Sequence, residues 1–137
     1  MTDFRIFRPR YGDFNMQGVM KSSVFFDFVC ESHLENFEHR YGIDFKNYRA
    51  QNTKWRIWEY NIQFCSEIEQ LEVFKVYTRI VELDGDRKKV SFRFMDFLDK
   101  TEYAKGFLTY RFQNILTKEY IPIWESDLTS FVKDLQI

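Results

Sequence analysis

Tyr11-Gly12-Asp13-Phe14-Asn15-Met16-Gln17-Gly18 is a short polar turn, and Ser22 to Tyr41, just beyond it, reads as one long aromatic-rich helix. Val24, Phe25, Phe28, Val29, Ser32, Phe37 and Tyr41 follow helical spacing, and Phe26, Cys30 and Leu34 widen the apolar side beyond a surface stripe. A helix apolar over so much of its girth belongs inside the molecule. Ser22 or Ser23 suits its start, and Gly42 suits the left-handed residue past its end. A helix that opens after a polar loop presents unpaired backbone N–H groups and a positive dipole end. These can hold developing negative charge, including the oxyanion of an attacked carbonyl.

Outward from this helix the chain reads as strand. Phe4–Arg8 is a short opening strand closed by Pro9. Trp55–Phe64 alternates, with Trp58, Tyr60, Ile62 and Phe64 assigned to one face. Leu71–Leu83 and Lys89–Phe97 are rich in β-branched and aromatic residues and flank the hairpin turn Asp84-Gly85-Asp86. Asp99-Lys100-Thr101 turns into Tyr103–Phe112, where Gly106 marks a bulge or a close backbone approach. Residues 43–53 show no clear period. Leu128, Phe131, Val132 and Leu135 predict a short amphipathic terminal helix. The expectation is an α+β domain: a strand, a central helix, a four-stranded antiparallel meander wrapped around it, and a small helix.

Composition sets the bounds. The 137 residues read as one domain, 1–137, without linker, repeat or low-complexity tract. Twenty basic and 21 acidic side chains give a net charge of −1, which offers no overall pull toward nucleic acid or an anionic membrane. No apolar run approaches membrane-spanning length and the amino terminus lacks signal-peptide order, so a cytoplasmic protein is expected. Sixteen Phe, eight Tyr and three Trp require a core, or an interface, built on rings. Cys30 and Cys65 are expected to be two buried thiols rather than a disulfide. His33 and His39 are expected at the surface or as satisfied partners. No metal-ligand spacing and no phosphate loop is present.

With these residues in place, the chain resembles the hot-dog-fold thioesterases of the 4-hydroxybenzoyl-CoA thioesterase type. Arg10-Tyr11-Gly12-Asp13-Phe14-Asn15-Met16-Gln17-Gly18-Val19 is similar to the family's opening motif, R-[YF]-G-D-x-D-x-x-G-[HI]. Val76–Leu83 is similar to its third strand, Ala104-Lys105-Gly106 to the Ala-x-Gly of its last long strand, and Ile121-Pro122-Ile123-Trp124 to its closing segment.

The resemblance implies a hot-dog fold, hydrolysis of acyl-CoA or acyl-carrier-protein thioesters without a cofactor, and a homo-oligomer, dimer or tetramer. It places Asn15 where many members carry a catalytic acid. An amide is not a base, but it can hydrogen-bond a water or the thioester carbonyl, and subfamilies with Asn here act on carrier-protein products. As a residue, Asn15 is equally a turn former. Asp13 reads as a turn-stabilising carboxylate or a base. Gly18 lets the loop pass close to the substrate, and the Ser22 backbone N–H is the oxyanion donor. Asp27, Glu31 and Glu35 form an acidic stripe on the helix, either solvated or with Glu31 supplying the missing carboxylate, as some branches of the fold do. Arg87, Lys88 and Lys89 are either a soluble hairpin tip or contacts to the phosphates of coenzyme A. The alternative function is a non-catalytic acyl-binding or assembly module.

Overall fold

The computed structural model describes residues 4–69 and 71–135. Five strands, β1 (Phe4–Phe7), β2 (Thr53–Phe64), β3 (Phe74–Asp84), β4 (Arg87–Asp96) and β5 (Glu102–Asn114), form one antiparallel sheet in the order β1-β3-β4-β5-β2. The long helix α1 (Ser22–His39) lies against the inner face of this sheet, which is the hot-dog arrangement.

Alternation selects that face. Phe74, Val76, Thr78 and Ile80 of β3, and Lys88, Val90, Phe92 and Phe94 of β4, all point inward and are buried. Phe25 and Phe28 of α1 pack ring against ring on this layer, with Phe25–Phe94 centroids 4.8 Å apart and Phe28–Phe74 5.0 Å apart, while Phe37 packs on Tyr48 and Phe131. Asn36 of α1 donates to the Thr78 hydroxyl at 2.9 Å, so the polar groups buried at this contact satisfy each other.

The structure corrects two expectations and assigns a segment that showed no clear period. Only β3, β4 and β5 form a meander, because β2 crosses to the far edge and pairs with β5. A bulge between Ile57 and Glu59 shifts the phase of β2 at Trp58, so Trp58 leaves the face of Tyr60 and Ile62. It lies on the outside, 46% exposed, under the Arg111 guanidinium at 4.6 Å. Residues 43–53 hold a short helix, α2 (Phe45–Ala50), capped by the Asp44 carboxylate accepting from Lys46 N–H.

Gly106 resolves as a close approach. A Cβ at this position would lie 1.9 Å from the Asn61 carbonyl oxygen and 2.8 Å from the Phe92 ring. Gly42 past α1 and Gly85 in the β3–β4 turn take positive φ, as their turn positions require. At the carboxyl end α3 (Glu125–Phe131) and a 3-10 turn (Val132–Leu135) bury Asp127, Phe131 and Asp134, while Val132 and Leu135 stay largely exposed. The inward face is thus set by paired carboxylates as much as by the apolar spacing.

Candidate active site

Loop 10–21 is held by its own polar side chains. Asp13 is buried and accepts the Arg10 N–H at 2.8 Å, and its carbonyl accepts the Lys21 N–H at the mouth of α1. The carboxylate is therefore a turn anchor. Asn15 is exposed; its Oδ1 accepts from Gln17 N–H at 2.9 Å and Val19 N–H at 3.1 Å. This occupies the acceptor and leaves Nδ2 as a donor without a partner among the described residues. Gly18 adopts φ 78° as the loop reverses.

Beyond Gly18 the loop docks on the segment that follows β2, with Val19 bridging Glu69 and Met20 N–H bonding the Ile68 carbonyl. This contact builds a cavity of about 350 Å³ at the N-terminal end of α1, lined by Val19, Met20, Ser22, Phe25, Phe64 and the segment Cys65–Ile68. Lys21 is the N-cap and gives no side-chain hydrogen bond. The Ser22 and Ser23 N–H groups have no acceptor among the described residues, so the dipole end of an 18-residue helix faces this space unneutralised.

The acidic stripe takes the solvated, ion-paired place that was one of its two readings. Glu31 is exposed and borders a separate groove with Asp27, Cys30 and Glu38. It lies nine residues along α1 from Ser22, roughly 13 Å at the helical rise. Glu35 is paired to Arg5 at 3.0 Å. Among the described residues, the one carboxylate lining the Ser22 cavity is Glu67, in a segment whose lack of periodicity gave it no signal. Cys65 lines it too and is exposed, not buried. Cys30 is half-buried, and burial raises its thiol pKa above the ordinary value; both cysteines are free.

Arg87, Lys88 and Lys89 do not form one basic patch. Strand alternation points Arg87 and Lys89 away from the core and Lys88 into it, fully buried. Lys88 is not a phosphate contact. His33 is likewise buried rather than superficial, and neither ring nitrogen has a hydrogen-bond partner among the described residues.

No protein-family model and no curated protein matches the sequence. Solved structures share its fold closely. A 1,4-dihydroxy-2-naphthoyl-CoA thioesterase from Synechocystis superposes with a TM-score of 0.87 at 11% identity, covering 96% of each chain. A gentisyl-coenzyme A thioesterase does so with 0.81 at 19%, covering 94% of this chain and 99% of that one. A Staphylococcus aureus protein solved in complex with CoA gives 0.86 at 14%, covering 99% and 85%. At these identities the likeness establishes the hot-dog fold. The named thioesterases are of several kinds and do not single out the 4-hydroxybenzoyl-CoA type. Among the described residues, no helix is long and apolar enough to cross a membrane.

Proposed function

We propose that the chain is an acyl thioester hydrolase working in the cytoplasm on acyl-CoA or acyl-carrier-protein substrates, with its chemistry in the cavity at the N-terminal end of α1. The observation that carries this is the unpaired N–H of Ser22, in the first turn of α1, beside a cavity that also holds a carboxylate, Glu67. The thioester oxygen accepts from the Ser22 N–H, and a water that loses its proton to Glu67 attacks the carbonyl carbon. The tetrahedral oxyanion forms against the helix end, where fixed donors stabilise it more than the ground-state carbonyl. Collapse breaks the C–S bond and the thiolate leaves, taking up a proton. Asn15, in the loop that leads into α1, offers Nδ2 to the substrate. Arg87 and Lys89 remain the candidates for the carrier's phosphates. No cofactor enters the scheme.

The assembly we propose is a homodimer through β2. Its 12-residue outer edge pairs with no other strand among the described residues, and Ile57, Trp58 and Phe64 along it are exposed. Sedimentation should give a dimer or larger species; a monomer at micromolar concentration counts against it. A second reading, an acyl-binding module without turnover, is favoured by the motif loop itself, where Asp13 and Asn15 both serve the turn. Incubation with an acyl-CoA panel, following free thiol release, separates the two. Turnover supports hydrolysis, and saturable acyl-CoA binding without turnover supports the module.

A further inference from the structure

A second cavity, of about 340 Å³, lies between α1, α2 and β2, away from Ser22. Its inner wall carries His33 and Lys88, which are 1% and 0% exposed. The Lys88 Nζ has no hydrogen-bond partner among the described residues and sits 4.0 Å from the Trp55 ring centroid, 4.2 Å from Phe37, 4.6 Å from Phe131 and 5.0 Å from Tyr110. Arg49 and Lys54 stand exposed among its lining residues, beside Leu34, Phe45 and Ile115. Among the described residues the lining contains cations and aromatic rings and no carboxylate.

A buried donor without an acceptor is costly, and folded proteins rarely leave one. Three such donors meet here: the single N–H of the neutral His33 ring, the Trp55 Nε1–H and the Lys88 Nζ. What the chamber lacks is an acceptor with negative charge, carried on a body that fills an aromatic-walled space of small-molecule size. We propose that this chamber binds a small monocarboxylate with an apolar or aromatic body, its carboxylate on Lys88 and its body among the rings. The site is independent of the hydrolytic reading, because binding is measured without turnover. Because Nζ is fully enclosed, one ring turns aside to admit the carboxylate.

Proton linkage follows from the surroundings. Burial lowers the Lys88 pKa well below 10.5, opposed by the charges of Asp127 and Asp134. Burial, then Lys88, lowers His33. The other titratable groups facing the chamber are the exposed Arg49 and Lys54, Tyr48 of α2, which is bonded to Asp127, and Tyr110 of β5; burial raises both tyrosine hydroxyls. An entering carboxylate favours the ammonium form, so binding takes up a proton and weakens as pH rises.

The test uses benzoate as the probe, with benzamide as its uncharged counterpart. Titration calorimetry of the full chain in two buffers of different ionisation enthalpy should show saturable benzoate binding with proton uptake. Benzamide should bind more weakly. Lys88→Met, with its fold checked by circular dichroism, should weaken benzoate by roughly tenfold to a hundredfold. In the unaltered protein, NMR signals of the Lys88 side chain and the His33 ring should shift on the same isotherm, which decides the matter even if the variant fails to fold. Absence of saturable binding, equal affinity for benzamide, unchanged affinity in a folded Lys88→Met, or binding that leaves both signals unmoved would each overturn the proposal.

Discussion

The Tyr41 hydroxyl donates to the Asp134 carboxylate at 2.6 Å, joining the end of α1 to the last turn of the chain across 93 residues. The same carboxylate accepts the Ile80 N–H at 2.8 Å, beside the bulge in β3, and pairs with Arg40 at 2.6 Å. One buried acid therefore ties helix, sheet and carboxyl terminus together. Asp134→Ala removes at once a buried acceptor shared by Arg40, the Tyr41 hydroxyl and the Ile80 N–H. A loss of about 3–5 kcal/mol is expected, the scale of a buried pair broken on one side. Urea unfolding of the variant checks it; a change below about 1 kcal/mol would contradict the latch.

The buried cations set a pH dependence of stability. Folding holds His33 below 6.5 and Lys88 well below 10.5, so between each folded value and its unfolded value the unfolded chain binds more protons. Stability therefore rises with pH across those windows, by about 1.4 kcal/mol per pH unit for each group fully within its window. Tyrosines act oppositely. Burial raises Tyr60 from 10.0 to about 12, and burial also raises Tyr48 and Tyr110, so stability falls again once pH passes 10. Urea midpoints should climb on the alkaline side of neutrality and turn over near pH 10, and Lys88→Met should flatten the climb. An equal climb in that variant would assign it to other groups.

Cys65 is a handle on the Ser22 cavity. It is exposed there, whereas burial raises the Cys30 thiol and lowers its thiolate fraction. A limiting alkylating reagent should modify Cys65 first and slow hydrolysis, and acyl-CoA should protect it. Preferential loss of Cys30, or full activity after complete Cys65 labelling, would place the chemistry elsewhere.

The architecture was legible because the signals were local and periodic: the girth of α1, the Asp84-Gly85-Asp86 turn, and Gly106, whose place against Asn61 admits no side chain. Trp58 was misplaced because a bulge changes phase without changing composition. The start of α1 at Ser22, on which the proposed backbone donor rests, was legible because the apolar helical spacing begins there. Glu67 was not, since an acid in an aperiodic loop looks like any solvated residue until the chain closes around it. Lys88 was read as surface charge because its neighbours in sequence are charged, while strand alternation turns it inward.

The most direct measurement is the rate of CoA thiol release by Glu67→Gln beside the unaltered protein and Glu31→Gln, on the best substrate of an acyl-CoA panel. If the chemistry lies in the Ser22 cavity with Glu67 as base, Glu67→Gln should lose about 100- to 10,000-fold in turnover, the usual cost of a missing general base. Its substrate binding should be nearly intact, and Glu31→Gln should stay close to the unaltered rate. Full activity in Glu67→Gln together with loss in Glu31→Gln would contradict the account and move the base to the acidic face of α1.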